Sequence, residues 1–392
     1  MDPYIDPEAL DPAHPATPLK LANLARANAA HAGRRVHVDA LPSKVIVQTT
    51  DACNLDCPMC QIPAPDKRRH MPWTLFQRVV DELFPTLIEL HPTNLGEPLA
   101  SPWFVDLCAA LHQHGVVLDL TTNGTLLDDR RIASITPVAR DIKVSFDGAK
   151  AATFERIRRK ARFDEVCANV QNLAHSLRNV QVRRPILALQ MTLMRSNVAE
   201  LPDLVRLAAR LGADRVKAYH LFSFRPELDA ESLMLAPHLW PPVLAEALRV
   251  GAEVGIDLQL AEPMAPDARG VTGGVACHLP WHEAWIDVDG SVLPCHSHGG
   301  DVAGNLGAST FAEIWNSALY QRIRQGFADR RPTWNCDGCG MTCHKPSEHA
   351  PVPYDPESFL SPEWRARNGN GGAQIRWSGR MKQFDLSHRR PT

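Results

Sequence analysis

The chain has 392 residues, 44% of them hydrophobic, with 42 Lys and Arg against 44 Asp and Glu. This charge balance excludes a global basic field for binding nucleic acid or an anionic membrane, although it leaves room for a local patch. The acidic, proline-broken N-terminus is unlike a signal peptide, and no apolar run approaches the ~20 residues that span a bilayer. We therefore expect a cytoplasmic protein, in which the ten cysteines serve as metal ligands more readily than as disulfides.

Residues 1–40 are rich in Pro, Ala and His and contain one helix-like piece, so we interpret them as an extension that wraps the domain. Across residues 41–225, strand-length apolar runs alternate with segments of helical period, which predicts βα units and a parallel sheet. The predicted strands are 44–50, 92–95, 116–121, 139–146, 185–193 and 213–220. Six such repeats indicate an α/β fold, an open, partial (βα)6 TIM-like barrel.

The first predicted strand runs into three cysteines, Cys53, Cys57 and Cys60, in a C-x3-C-x2-C spacing. Three thiolates within eight residues can hold three corners of a cubane iron–sulfur cluster and leave one iron open, whereas a closed cluster or a structural zinc takes four protein ligands. A zinc knuckle with a distant fourth ligand and three buried thiols are the alternatives. Cys108 and Cys167 lie in helix-like patterns that are typical of packed thiols.

This stretch resembles the cluster motif of the radical S-adenosylmethionine (SAM) superfamily, in which the amino and carboxylate groups of SAM occupy the open iron. The family usually has an aromatic residue near the adenine where this chain has Met59, a thioether that can also pack against a ring. The resemblance implies a catalytic centre at the three cysteines, which reductively cleaves SAM to a 5′-deoxyadenosyl radical that removes a substrate hydrogen. It also implies an external one-electron reductant of the flavodoxin or ferredoxin type.

Polar residues follow the second predicted strand at the end where the chemistry of βα barrels collects. Gly96 and Glu97, in the sequence Gly96-Glu97-Pro98, resemble the GGE-type motif of the family. The resemblance implies that Glu97 accepts a hydrogen bond from the SAM amino group, which would be a charge-assisted contact. The alternative is a loop glutamate in solvent.

The ends of three further strands carry stretches that are common in the same superfamily. The resemblance implies that Asn123, Ser145 and, with less weight, Asp147 line the SAM pocket, and that Arg195 pairs with the SAM carboxylate. As isolated features, Asn-Gly and Asp-Gly are ordinary turn sequences, and an arginine at the surface is equally compatible with the pattern.

Residues 226–270 are interrupted by prolines, with one helix near 238–254 and a short strand near 256–261, and we interpret them as a bridging segment. A second cysteine group follows within residues 271–350. Its members are Cys277, Cys295, Cys336, Cys339 and Cys343. The tail from 351 to 392 is polar, so we expect part of it to be mobile.

The second cysteine group resembles the SPASM and shorter "twitch" extensions that bind auxiliary [4Fe–4S] clusters. Residues 285–292 predict the usual β-hairpin, with a turn at Asp-Gly. A full SPASM domain has seven cysteines and this chain has five, so the resemblance implies one auxiliary cluster. The four cysteines that match the twitch pattern leave Cys343 as a spare, an alternative ligand or a thiol available to substrate. A zinc ribbon on the same thiolates is the alternative.

The substrate is predicted less directly than the chemistry. Residues 1–40 leave no room for a winged-helix peptide-recognition domain, and one auxiliary cluster favours a small molecule. We therefore expect a two-electron oxidation of a small metabolite that resembles a sugar or an aminocyclitol. A maturase that crosslinks or epimerises a ribosomally made peptide is the alternative, with a non-catalytic iron–sulfur or zinc protein as a different class. Tyr219, His220 and Arg225 lie where substrate would be recognised.

Overall fold

The computed structural model describes residues 7–60, 69–180, 184–221, 226–260, 277–295 and 301–331. The strands in these ranges form one ten-stranded sheet in the order β10-β9-β8-β1-β2-β3-β4-β5-β6-β7. Their bounds are β1 Lys44–Val47, β2 Glu89–His91, β3 Val117–Thr122, β4 Ala139–Ser145, β5 Ile186–Leu193, β6 Arg215–His220, β7 Asp257–Leu260, β8 Glu283–Ile286, β9 Ser291–Leu293 and β10 Gly304–Asn305. Strands β1 to β7 pair in parallel in chain order without closing on themselves, which confirms the predicted partial barrel.

Helices follow most of the strands and cover the apolar face of the sheet. Their bounds are α1 Thr17–Ala32, α2 Trp73–Leu83, α3 Phe104–His114, α4 Asp129–Ile135, α5 Ala151–Ile157, α6 Phe163–Leu177, α7 Leu201–Leu211, α8 Trp240–Val254, α9 Leu279–His282, α10 Phe311–Trp315 and α11 Ala318–Ala328. Helices α3 and α7 end where Gly115 and Gly212 adopt left-handed backbone angles, which return the chain toward the sheet. None of the described helices combines the length and apolar character that crossing a bilayer requires.

The second strand lies at 89–91, three residues before the predicted 92–95. Pro92 cannot donate a hydrogen bond to a strand ladder, so the strand ends before it. The apolar pattern missed the strand because Glu89 is charged, yet its side chain is buried between Lys44 at 2.8 Å and Arg140 at 2.6 Å. Two ion pairs therefore allow a charged residue to occupy a buried strand position, where an apolar residue is usual.

The strands of the bridging segment and of the second cysteine group join the same sheet at its two sides. Strand β7 pairs in parallel with β6, and β8 pairs in parallel with β1. Strands β8 and β9 form the predicted antiparallel hairpin, with Gly290 at φ 83° in its turn. Because β8 lies directly beside β1, the second cysteine group is built onto the barrel sheet.

Helix α1 of the N-terminal extension is fixed to the barrel by a buried lysine. Lys20 has no exposed surface, and its Nζ donates to the carbonyl oxygens of Phe84, at 2.7 Å, and Leu87. The side chain of Asn23 pairs with the backbone of Leu41 in both directions. These contacts anchor α1 to the chain after α2 and to the segment that leads into β1.

Replacing Lys20 with methionine is expected to lower the free energy of unfolding by about 1–3 kcal/mol, because two buried carbonyl groups would lose their donor. Burial lowers the pKa of Lys20 to about 7, from an ordinary value of 10.5. The unfolded chain therefore binds more protons between these pH values, and the stability contributed by Lys20 rises with pH across this window.

Chemical denaturation at about pH 7 and about pH 9 measures both effects. Arg26→Met on the same helix is the matched control, because Arg26 is exposed. Equal stability of the two variants, or a gap that does not widen with pH, would contradict the anchoring role of Lys20.

Candidate functional site

The loop that carries the first cysteine group is tied at its base. The Asp51 carboxylate accepts hydrogen bonds from the backbone N–H of Arg69 at 2.5 Å and from its Nε at 2.7 Å. The backbone N–H of Met71 donates to the Thr49 carbonyl at 2.9 Å, next to a bridge between Thr50 and His70. Both flanks of the loop are therefore fixed together at the C-terminal end of β1.

Two of the three thiols lie close to hydrogen-bond donors. The Leu55 N–H lies 3.4 Å from Cys53 Sγ, and Arg158 Nη1 lies 3.8 Å from Cys57 Sγ. Burial raises the pKa of Cys57 to about 11, and negative charge on Cys60 or Cys53 raises it further. Thiols that influence each other in this way suit one shared metal group, which would hold them as thiolates.

The described residues contain no group of three or more His, Cys, Asp or Glu side chains that is gathered tightly enough for a metal ion. Cys53, Cys57, Cys60, Cys108 and Cys167 form no disulfide. The donor set of Cys53, Cys57 and Cys60 fits a larger iron–sulfur cluster, whose thiolates bind separate irons.

Glu97 is buried beside the first cysteine group, with 2% of its surface exposed, which excludes the alternative of a loop glutamate in solvent. Its carboxylate accepts hydrogen bonds from the Thr122 hydroxyl at 2.7 Å, from the Asn123 N–H at 2.7 Å and from the Leu99 N–H at 3.2 Å. Burial raises its pKa to about 7, although these three hydrogen bonds act to lower it. Glu97 is thus oriented by three donors and retains capacity for a cationic partner.

Gly96 lets the second loop approach the first. Its φ is 82°, and a Cβ at this position would lie 2.7 Å from the Thr50 carbonyl oxygen and 2.9 Å from that of Ala52. The Glu97 N–H donates to the same Ala52 oxygen at 2.8 Å. A side chain here would therefore push Glu97 away from the cysteine loop.

Asn123 directly follows β3 and Ser145 ends β4, both at this edge of the sheet. Asn123 Nδ2 donates to Asn54 Oδ1 at 2.9 Å and lies 3.9 Å from Cys53 Sγ. Ser145 is the last residue of β4, is 8% exposed and pairs in register with Gln190. The structure thus brings Asn123 into contact with the cysteine loop, as its position in the sequence indicated.

The structure places Arg195 at the surface and a different arginine at the thiols. Arg195 is exposed, and its Nη1 donates to the Ala230 carbonyl at 3.3 Å. Arg158 ends α5, and its Nε lies 2.5 Å from the fully buried carboxylate of Asp147. Burial alone would lower the pKa of Arg158, but the Asp147 carboxylate outweighs this effect and raises it. Sequence reasoning missed Arg158 because no strand or helix period relates it to Asp147 or to the cysteines.

An apolar wall adjoins the same thiols. Met59 is 9% exposed and belongs to a small cluster on which Cys57 packs. The other members of this cluster are Ile157, Met194, Leu221 and Leu228. A flat apolar group could therefore lie between the cysteine loop and the ends of β5 and β6.

The two described cysteines of the second group, Cys277 and Cys295, lie at the opposite end of the sheet. Cys277 precedes α9 and β8, and Cys295 follows β9. Because β8 runs parallel to β1 and β9 runs back beside it, both cysteines lie near the N-terminal end of β1. Cys336, Cys339 and Cys343 lie outside the described residues, as do Arg225 and the predicted mobile tail.

Tyr219 and His220, the two described candidates for substrate recognition, have different surroundings. Tyr219 is 38% exposed. The ring of His220 lies 5.3 Å from that of Trp240 in an edge-on arrangement, and burial lowers its pKa to about 4. Tyr219 is therefore open to a ligand, whereas His220 is a neutral, packed side chain at neutral pH.

Two family models match the chain in the order of the two cysteine groups. The radical SAM superfamily model covers residues 47–216, and the SPASM model, an iron-sulfur cluster-binding domain, covers residues 277–340. Together they imply SAM, a [4Fe–4S] cluster that binds it and auxiliary iron–sulfur chemistry. This agrees with the cofactors expected from the motifs.

Curated relatives match most of the chain. PqqA peptide cyclases from several bacteria are similar, among them that of Gluconobacter oxydans, which is 28% identical over 300 residues, or 72% of this chain and 79% of the relative. The tungsten-containing aldehyde ferredoxin oxidoreductase cofactor-modifying protein of Pyrococcus furiosus is 24% identical over 302 residues, or 71% of this chain and 82% of the relative.

Solved structures with the same fold include Streptococcus suis SuiB bound to its precursor peptide SuiA. The match has a TM-score of 0.59 and 14% identity, and it covers 83% of this chain and 74% of SuiB. At this identity the likeness concerns the fold alone.

Proposed function

We propose that this radical SAM enzyme, which carries a SPASM iron–sulfur extension, modifies a peptide by removing a hydrogen atom from it. The observation that carries the proposal is the similarity to PqqA peptide cyclases of several bacteria, which extends over about three-quarters of the chain. The modification would be a crosslink or an epimerisation.

The peptide substrate is preferred over the small metabolite that the cysteine count favoured. That expectation depended on a single auxiliary cluster, and three of its five cysteines lie outside the described residues. The peptide cyclases are similar to this chain over most of their own length. Their similarity therefore supports a peptide substrate more directly than the number of cysteines in the second group supports a sugar or an aminocyclitol.

The described residues suggest a role for each part of the site. Cys53, Cys57 and Cys60 would hold the [4Fe–4S] cluster, which, when bound, supplies the one-electron cleavage of SAM that yields a hydrogen-abstracting radical. Glu97 would bind the SAM ammonium group, since its carboxylate is buried and already oriented. Met59 and its apolar neighbours would pack against the adenine.

Arg158 is our candidate for the SAM carboxylate, in place of Arg195. Its guanidinium lies beside Cys57 and is oriented by Asp147, whereas the side chain of Arg195 is exposed and contacts Ala230. A guanidinium presents several donors in one plane, so it can hold Asp147 and a second carboxylate together.

Replacing Glu97 with glutamine is expected to weaken SAM binding about tenfold, or about 1.4 kcal/mol, because a charge-assisted bond becomes a neutral one. Burial raises the pKa of Glu97 to about 7, so the carboxylate forms as pH rises through that value and wild-type SAM affinity should rise with it. The variant should lack this dependence. Calorimetric titration of the anaerobically reconstituted protein with SAM measures both.

Glu165→Gln is the matched control for this change, because Glu165 is exposed on α6. It should leave SAM affinity and its pH profile unchanged. A Glu97 variant that binds SAM as tightly as the wild type across neutral pH would contradict the assigned role of Glu97.

The peptide proposal is tested by co-expressing the enzyme with the product of a short open reading frame beside its gene. The peptide is analysed by mass spectrometry and, after hydrolysis, by chiral amino-acid analysis. A crosslink removes two hydrogens from the peptide, and an epimerisation changes chirality without changing mass. We expect one of these outcomes with the wild type and neither with Cys57→Ala. An unmodified peptide, together with oxidation of a sugar or an aminocyclitol by the same preparation, would overturn the proposal.

A further inference from the structure

Four arginines come together where helices α1 and α11 end. Arg34 Nη1 donates to the Phe327 carbonyl at 3.3 Å, and the Arg330 N–H donates to the same oxygen at 3.3 Å. The neighbours of this pair, Arg35 and Arg331, follow directly in the chain. We call Arg34, Arg35, Arg330 and Arg331 the arginine patch.

The arginine patch presents uncompensated positive charge. Arg35, Arg330 and Arg331 are exposed and Arg34 is partly exposed, and none of the four pairs with a carboxylate within residues 7–331 as far as these are described. The nearest acid along the chain, Asp329, accepts a hydrogen bond from Gln325. The surface therefore has a net positive charge, although the whole chain has a net charge of −2.

The backbone of the arginine patch is held in a costly conformation. Arg34 has a φ of 48° and Arg330 a φ of 57°, and the other non-glycine residue with positive φ in the described ranges is Lys160. Such angles are disfavoured for side chains other than Asn, Asp and Gly. At both positions the angle belongs to the end of a helix, where the N–H of the following residue, Arg35 or Arg331, donates to the carbonyl of Ala30 or Gly326 at 2.8 Å. The helix ends therefore fix where these arginines stand on the surface.

The arginine patch adjoins the second cysteine group. The Arg35 carbonyl accepts a hydrogen bond from Trp281 Nε1 at 2.9 Å, and the Trp281 ring lies 5.9 Å from that of Phe327. Trp281 belongs to α9, four residues after Cys277. The positive surface therefore lies over the helix that connects Cys277 to β8, at the end of the sheet opposite the Cys53 loop.

We propose that the arginine patch is the docking surface for an acidic one-electron carrier protein that approaches the auxiliary cysteines. An uncompensated basic surface steers an acidic partner and raises its association rate by about 10- to 1,000-fold at low ionic strength. A peptide that is being modified must reach the other end of the sheet, whereas a carrier needs only to come close to a redox centre. The proposal concerns the SPASM region and is independent of the peptide substrate.

The test uses the reconstituted holoenzyme and oxidised flavodoxin as the acidic probe. Association is measured by surface plasmon resonance across a range of salt concentrations for the wild type and for a variant with Arg35, Arg330 and Arg331 replaced by glutamate. We expect the association rate at low salt to fall more than about tenfold, and the two proteins to converge as salt screens the charges. A second variant with glutamine at the three positions should show an intermediate fall.

The matched control replaces Arg130, Arg162 and Arg210 with glutamate, since these arginines are exposed on other helices or at their ends. It should stay within about twofold of the wild type if location rather than net charge matters. Iron content and circular dichroism confirm that each variant is folded and loaded. Equal losses of association rate in both triple glutamate variants would overturn the proposal. So would an arginine-patch variant that binds flavodoxin as the wild type does but has lost affinity for an acidic peptide.

Discussion

Replacing Cys57 with alanine is expected to reduce 5′-deoxyadenosine formation more than about 100-fold, because loss of a cluster ligand exceeds the 10- to 100-fold effects of changing residues behind the ligands. Cys57 is the thiol with the closest cationic neighbour, since Arg158 Nη1 lies 3.8 Å from its sulfur. The measurement incubates the anaerobically reconstituted enzyme with SAM and a strong reductant and quantifies 5′-deoxyadenosine by chromatography.

Cys167→Ala is the matched control, because Cys167 lies on α6 and packs against the apolar core. It should retain wild-type 5′-deoxyadenosine formation and iron content. The Cys57 variant should also lose the electronic absorption of the SAM-binding cluster while it retains that of the auxiliary iron–sulfur centre. Formation of 5′-deoxyadenosine at the wild-type rate in Cys57→Ala would show that these three cysteines do not hold the SAM-binding cluster.

Replacing Arg158 with methionine is expected to lower the free energy of unfolding by about 3–5 kcal/mol, because a buried carboxylate would lose its cation. Asp147 is fully buried, and its other oxygen accepts only a backbone N–H, that of Thr192 at 2.6 Å, among the described contacts. Chemical denaturation of the protein measures the loss. SAM affinity should fall as well, since Arg158 is the candidate partner of its carboxylate.

The nearby Arg156→Met is the control for this change, because Arg156 is exposed and donates only to the Ser196 carbonyl. Combining Arg158→Met with Asp147→Asn should recover part of the stability, since the orphaned charge is removed. It should not recover SAM affinity. A double variant as unstable as Arg158→Met alone would show that the ion pair is not the source of the loss.

The sequence predicted the parts of the site that depend on local spacing. The cysteine spacing, the Gly96-Glu97 pair and the hairpin turn at Gly290 each occupy a few consecutive residues. The structure places Glu97 against the cysteine loop and Gly290 between β8 and β9. Asn123 was also predicted, because strands of a parallel sheet end at a common edge.

Residues that depend on distant pairing were missed. Arg158 reaches Cys57 across about one hundred positions of chain, and Glu89 is a strand residue only because Lys44 and Arg140 neutralise it. Hydropathy patterns assign charged residues to the surface, so they cannot identify a charge that another element buries. Arg195 was predicted to bind the SAM carboxylate from its position just past a strand end, and that role stays a prediction.

The clamp between Asp51 and Arg69 also affects how this protein can change over evolution. Because the clamp closes the base of the cysteine loop independently of what lies between Cys60 and Arg69, insertions or deletions in that interval need not shift the register of β1 or the start of α2. The length and the amino-acid composition of this loop can therefore change by mutation while the barrel stays intact.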